Sequence, residues 1–184
     1  MTGPSRRFDP LAGVLSYLLP GLGQVLQGRI GKGLLFFVCI YALFFYGLWL
    51  GSMRNVWLPE TGRLPDASLF GARMTGPLKA VYYRPQFLGQ FWMGVAVWPA
   101  VLQYAVADPL GNADEPPKPA PVIGFYMRPP GEAELNALQR DGDKRWDLGW
   151  VYTVIAGALN LLVICDAVAG PAVRDDETPD GGAA

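Results

Sequence analysis

The chain has no histidine among its 184 residues. That absence removes Ser-His-Asp and Cys-His catalysis, His-ligated zinc or haem, and an imidazole pH switch. Charge is scarce too: 17% of residues are charged, against about a quarter in a soluble domain. The formal net charge of −1 offers no basic field to attract nucleic acid, and no nucleic-acid-binding motif is present. The two cysteines, Cys39 and Cys165, lie inside apolar runs, where free cysteine packs as a small hydrophobe, so no disulfide is expected. No carboxylate pair is spaced for hydrolysis; Asp141, Asp143 and Asp147 alternate with Lys144 and Arg145 and read as a solvated face. Gly21-Leu-Gly23 is neither a dinucleotide fingerprint, since no strand precedes it and the third glycine is misplaced, nor a phosphate loop, since no Gly-Lys-Ser/Thr follows. No catalytic, metal-binding or cofactor-binding set can be assigned, and no cofactor is expected.

What the chain does have is apolar length. Hydrophobic residues make up 51% of it and fall into four blocks. A helix needs about 20 mainly apolar residues to cross the bilayer core. Residues 10–28 and 33–53 are charge-free runs of that order, as are 85–107; residues 148–173 carry one charge, Asp166. A chain of this size cannot bury four all-apolar helices in a soluble core. The expected fold is therefore an all-α integral membrane protein of about four transmembrane helices, forming a single membrane domain, with spans near 11–27, 33–53, 86–107 and 148–169. Trp49, Trp57, Tyr82, Tyr83, Trp146, Trp150 and Tyr152 cluster at the block edges, as an aromatic belt would. Arg6, Arg7 and the run Leu11–Leu19 look like the start of a signal peptide, but no small-x-small cleavage site follows, so the segment is expected to be retained.

Pro20 interrupts the first block. Proline removes a helical hydrogen bond, and a broken helix is tolerated in a membrane only where protein or water satisfies the freed groups. That block is expected to be kinked or re-entrant at Pro20, with Gln24 and Gln27 satisfying the freed groups. Residues 28–33, GRIGKG, form a tight basic turn that makes the first two blocks a helix hairpin. The loop 54–85 is rich in turn residues and is expected to hold little regular structure. In the loop 108–147, a proline-rich stretch precedes a short surface helix starting after Pro130 and Gly131, with Glu132 and Glu134 in its first turn, Leu135 and Leu138 on its apolar side and Arg140 in its last turn. The acidic tail 172–184 is expected to be disordered. Lys and Arg nearly balance across the two faces of a four-span arrangement, and both termini are expected to be cytoplasmic.

Polar groups inside apolar blocks are the first place to look for function. Thr153, Gly157 and Asn160 share one helix face by spacing, a small-and-polar stripe that lets another helix approach and hydrogen-bond. Asp166 lies 16 residues beyond Trp150, about 24 Å along a helix, near the far interface, where it can reach water or a basic partner such as Arg6, Arg7 or Arg174. Gly47 and Gly51 form a small-xxx-small pair for close packing.

The stretch Leu19–Phe37, LPGLGQVLQGRIGKGLLFF, resembles the opening of the two-transmembrane-helix domain family through Pro20, Gly21, Gly23, Gln24, Gly28, Arg29, Gly31, Lys32 and Gly33. That family often has an aromatic and a second glycine just before the arginine, where this chain has Leu26, Gln27 and Gly28. The C-terminal half is similar to a group of uncharacterised four-helix bacterial membrane proteins, with Asn160, Asp166 and Ala167 in its Asn...Asp-Ala signature. These resemblances imply a multi-pass protein of the bacterial inner membrane and bring no known activity. The expectation is a non-enzymatic scaffold, assembly factor or accessory subunit in contact with lipid and with other membrane proteins or copies of itself, not with nucleic acid. The rival expectation is a small oligomeric transporter or channel built around Gln24, Asn160 and Asp166.

Overall fold

The computed structural model describes residues 8–106, 124, 126–131, 136–137, 140 and 144–170. The proline-rich stretch, most of the short surface helix and the acidic tail lie outside the described residues, as do Arg6, Arg7 and Arg174. Within the described residues the chain is mostly helical, and its helices are α1 (Pro10–Leu18), α2 (Leu22–Leu26), α3 (Ile30–Leu50), α4 (Gly76–Tyr83), α5 (Gln86–Gln90), α6 (Trp98–Val106) and α7 (Lys144–Ala169).

Two of the four apolar blocks are continuous helices. The 21-residue α3 and the 26-residue α7 are long and apolar enough to cross a membrane, with mean hydropathy of 2.2 and 2.0. Only 28% and 33% of their apolar windows are buried by the rest of the chain, so most of their apolar surface is not covered as it would be in a soluble core. The other two blocks are broken. The first divides into α1 and α2 around Leu19, Pro20 and Gly21, with Gly21 at φ 86°. The third divides at Gly94, whose φ of 60° and ψ of −128° interrupt a 3-10 stretch, Phe91–Val97, between α5 and α6. A Cβ at Gly94 would overlap the carbonyl of Tyr17.

The two long helices run antiparallel. At one end the ring of Tyr46 meets Tyr152 edge-on, 5.3 Å away, and glycines let the backbones touch. A Cβ at Gly149 would come 2.6 Å from the Gly51 nitrogen, and one at Gly47 would come 2.8 Å from the Gly149 carbonyl oxygen. At the other end Lys32, in the first turn of α3, reaches Asp166 near the end of α7. These are called below the Gly149 end and the Asp166 end.

The loop after α3 is more ordered than its turn-rich composition predicts. It holds a 3-10 turn (Thr61–Arg63), a two-residue antiparallel hairpin pairing Ser68–Leu69 with Ala72–Arg73, and α4. Val56, Trp57 and Leu58 are buried. The organising groups are two buried cations. Lys79 donates to the carbonyls of Thr61 at 3.1 Å and Leu64 at 3.0 Å. Arg84 donates to the Asn55 carbonyl at 2.9 Å and lies 3.7 Å over the Trp57 ring. Arg128, from the second loop, joins them by pairing with Glu60 at 3.6 Å. Composition alone misses this because the order comes from long side chains capping distant carbonyls rather than from local propensity.

Burial pulls the Arg84 guanidinium down to about 9, which leaves it charged at neutral pH, so the Trp57 ring face is a principal compensation for its lost water. Trp57→Leu should cost about 2 kcal/mol by removing that contact, read from thermal unfolding in detergent. Gly149→Leu should cost about 1–3 kcal/mol by forcing the α3–α7 crossing apart; an unchanged unfolding midpoint would show that the backbones do not meet there.

Candidate functional site

Most polar residues buried in the apolar blocks gather on α7, in two clusters about two turns apart, with a charged group at the Asp166 end. All of them are met by other segments of the same chain.

The first cluster surrounds Thr153. Its hydroxyl donates back to the Trp150 carbonyl at 2.9 Å and accepts from Gln90 Nε2 at 2.8 Å. The same Gln90 nitrogen donates to the Asn55 carbonyl at 3.2 Å, and Asn55 Nδ2 donates to the Gly47 carbonyl at 3.0 Å, near the end of α3. One turn along α7, a Cβ at Gly157 would overlap the carbonyl of Gly89. The stripe Thr153, Gly157 and Asn160 is wholly buried, Thr153 and Gly157 against the third apolar block and Asn160 between the third block and the first.

The second cluster is centred on Asn160. Its Nδ2 donates to the Ser16 carbonyl at 3.1 Å and the Trp92 carbonyl at 2.7 Å. Both acceptors have a reason to be available. In a continuous helix the Ser16 carbonyl would accept from residue 20, but Pro20 has no N–H. The Trp92 carbonyl stands two residues before the Gly94 break, where the regular ladder fails. One side-chain amide thus supplies both interrupted helices. The side-chain oxygens of Asn55, Gln90 and Asn160 are buried and accept no hydrogen bond among the described residues, so these amides act as donors.

Gln24 and Gln27 do not satisfy the groups freed by Pro20, as their position in the first block suggests. Gln24 Nε2 donates to the Val163 carbonyl at 2.9 Å and to Asp166 at 3.1 Å, while its oxygen accepts from the Ser16 hydroxyl at 3.1 Å. Gln27 Nε2 donates to the Ala167 carbonyl at 2.7 Å and reaches Asp9 at 3.4 Å. Both tie α2 to the last turns of α7. The Ser16 hydroxyl in turn accepts from the Gly23 backbone at 3.1 Å, because α1 and α2 pack so closely that a Cβ at Gly23 would overlap the Ala12 carbonyl.

Asp166 pairs with Lys32 at 2.7 Å and with Arg29 at 3.2 Å. Among the described residues its partners are Arg29 and Lys32, while the terminal arginines named as candidates lie outside them; Lys32 belongs to the first turn of α3, because that helix begins at Ile30, inside the expected turn 28–33. The carboxylate is about a third exposed. Pro20 and Gly21, the remaining residues of the turn motif, form the bend between α1 and α2, where a Cβ at Gly21 would overlap the Gly33 carbonyl.

Sequence reasoning passed over Ser16, Gln90 and Asn55. Gln90 carried a usable signal, an amide in a charge-free apolar block; Ser16 and Asn55 carried none. Among the described residues no group of three His, Cys, Asp or Glu could hold a metal. The arrangement holds helices together.

Asn160 and Asp166 should therefore respond differently to substitution. Asn160→Leu keeps the branched shape but leaves two buried carbonyls without a donor, and should cost about 1–3 kcal/mol. Asp166→Asn keeps the Gln24 contact and loses only part-exposed ion pairs, and should cost less than about 1 kcal/mol, with a loss that shrinks as salt is raised. Unfolding in detergent at two salt concentrations measures both.

No curated protein and no solved structure matches the chain. One family model does, over residues 11–179, which include both broken blocks, both long helices and every polar contact of α7 described above. The chain belongs to that family, a family of unknown function (DUF6677).

Proposed function

We propose that this chain is a non-enzymatic protein of the bacterial inner membrane, a scaffold, assembly factor or accessory subunit that crosses the bilayer with α3 and α7. The observation that carries this reading is the division of the helix surfaces. Thr153, Gly157 and Asn160 are spent inside the chain, while Leu34, Leu35, Val38 and Trp49 on α3 and Leu159 and Leu162 on α7 face outward uncovered. A surface of that kind is suited to lipid and to the apolar helices of a partner. The α1–α2 unit fits a re-entrant hairpin. Asp9 N donates to the Val168 carbonyl at 2.9 Å and Gln27 reaches Ala167, so both ends of the unit meet α7 at the Asp166 end.

A small oligomeric transporter or channel is the second reading. It is favoured by the two broken blocks, since interrupted helices are where transporters build their sites. Gln24, Asn160 and Asp166 are the residues such a path would use.

Purification from native membranes in mild detergent, with a mass for the intact particle, separates the two. A stoichiometric foreign subunit is the expected result. A homo-oligomer without a partner, showing flux in vesicles that Asp166→Asn abolishes, would overturn the scaffold reading in favour of the second.

A further inference from the structure

We infer that the third apolar block is a second re-entrant hairpin, inserted from the face opposite to the first, so that the chain crosses the membrane only twice. The inference rests on the membrane reading above and follows from direction and parity. Because α3 leaves the Asp166 end and α7 returns to it, the chain between Gly51 and Lys144 must begin and end at the Gly149 end. The apolar block 85–107 lies within that stretch. A full crossing by it would need a second crossing before α7, and the charge-rich residues 108–143 hold no apolar run of the required length.

The contacts trace the path in and out. Gln90 meets Thr153, and two residues later the Trp92 carbonyl meets Asn160, seven residues and about 10 Å further along α7. At Gly94 the chain abuts the Tyr17 carbonyl, at the tip of the first hairpin, and the helix breaks. Beyond the break, Gln103 on α6 donates to the carbonyls of Gly124 at 2.7 Å and Tyr126 at 2.9 Å. Two residues past Tyr126, Arg128 pairs with Glu60 in the loop that follows α3. The far end of α6 is thereby tied to the Gly149 end.

Non-helical backbone at membrane depth is tolerated only where protein or water covers it. Both tips meet that condition. Pro20, Gly21 and Gly94 are buried, each hairpin tip covers the other, and Asn160 donates to both.

Orientation follows too. Ten of the 15 Lys and Arg fall in residues 54–84 and 108–147, which this topology places on one face. The positive-inside rule then makes that face cytoplasmic and puts both termini outside, the reverse of what four spans suggest.

Single cysteines at exposed sites test this in the full-length chain with Cys39→Ala and Cys165→Ala as background. The probes are Ser68→Cys in the first loop, Gly131→Cys in the second and Phe8→Cys before α1. A membrane-impermeant maleimide should label Phe8→Cys on intact cells, and should label Ser68→Cys and Gly131→Cys only after the inner face is opened. Ser68→Cys and Gly131→Cys reacting from opposite faces would overturn the second hairpin. Both reacting from outside would overturn the orientation. Release of the protein by alkaline carbonate, with all three sites reacting alike, would instead overturn the membrane reading on which the inference stands.

Discussion

The fold depends on one amide. Pro20 and Gly94 each break a helix in apolar surroundings, and each break leaves backbone carbonyls without their regular donors. Such groups cannot be left unpaired away from water without a cost comparable to a lost hydrogen bond. Asn160 answers both, because its two N–H bonds reach the Ser16 and Trp92 carbonyls from a continuous helix that passes between them. The broken segments can be broken because α7 is not, and α7 carries its polar groups where the breaks occur.

Close approach makes that reach possible. An asparagine side chain is short, so both interrupted backbones must lie against α7. Gly157 lets the Gly89 carbonyl sit on the helix surface, and Gly94 lets the third block touch the Tyr17 carbonyl. At the Gly149 end the same solution joins α3 to α7 through Gly47, Gly51 and Gly149. Where helices lie in lipid there is little hydrophobic drive between them, and there packing of small residues and interhelical hydrogen bonds carry association. The polar and glycine-rich character of these segments is thus one means of cohesion, beside a buried apolar core that includes Phe44, Leu48, Met93 and Val97.

The two ends are closed differently. At the Asp166 end a part-exposed carboxylate gathers Lys32 and Arg29, while Gln24 and Gln27 fasten α2 to the last carbonyls of α7. At the Gly149 end the loop after α3 folds around Lys79 and Arg84, buried cations held by carbonyls and an aromatic face. The first arrangement can loosen at modest cost, because water already reaches it. The second cannot, because freeing either cation would leave carbonyls and a charge without partners.

The sequence by itself determined the apolar blocks, the break at Pro20 and the common face of Thr153, Gly157 and Asn160. Each is a local property, set by hydropathy, by the missing proline N–H or by the helical repeat. It did not reveal the break at Gly94, since one glycine in an apolar run looks the same whether the helix continues or stops. It also misassigned partners. Gln24 and Gln27 looked suited to Pro20, because spacing gives the face of a helix but not what lies against it. Tertiary structure decided those pairings, together with the order in the loop after α3. These rest on contacts between residues far apart in the chain, such as Ser16 with Asn160 and Glu60 with Arg128, whose geometry no local pattern encodes.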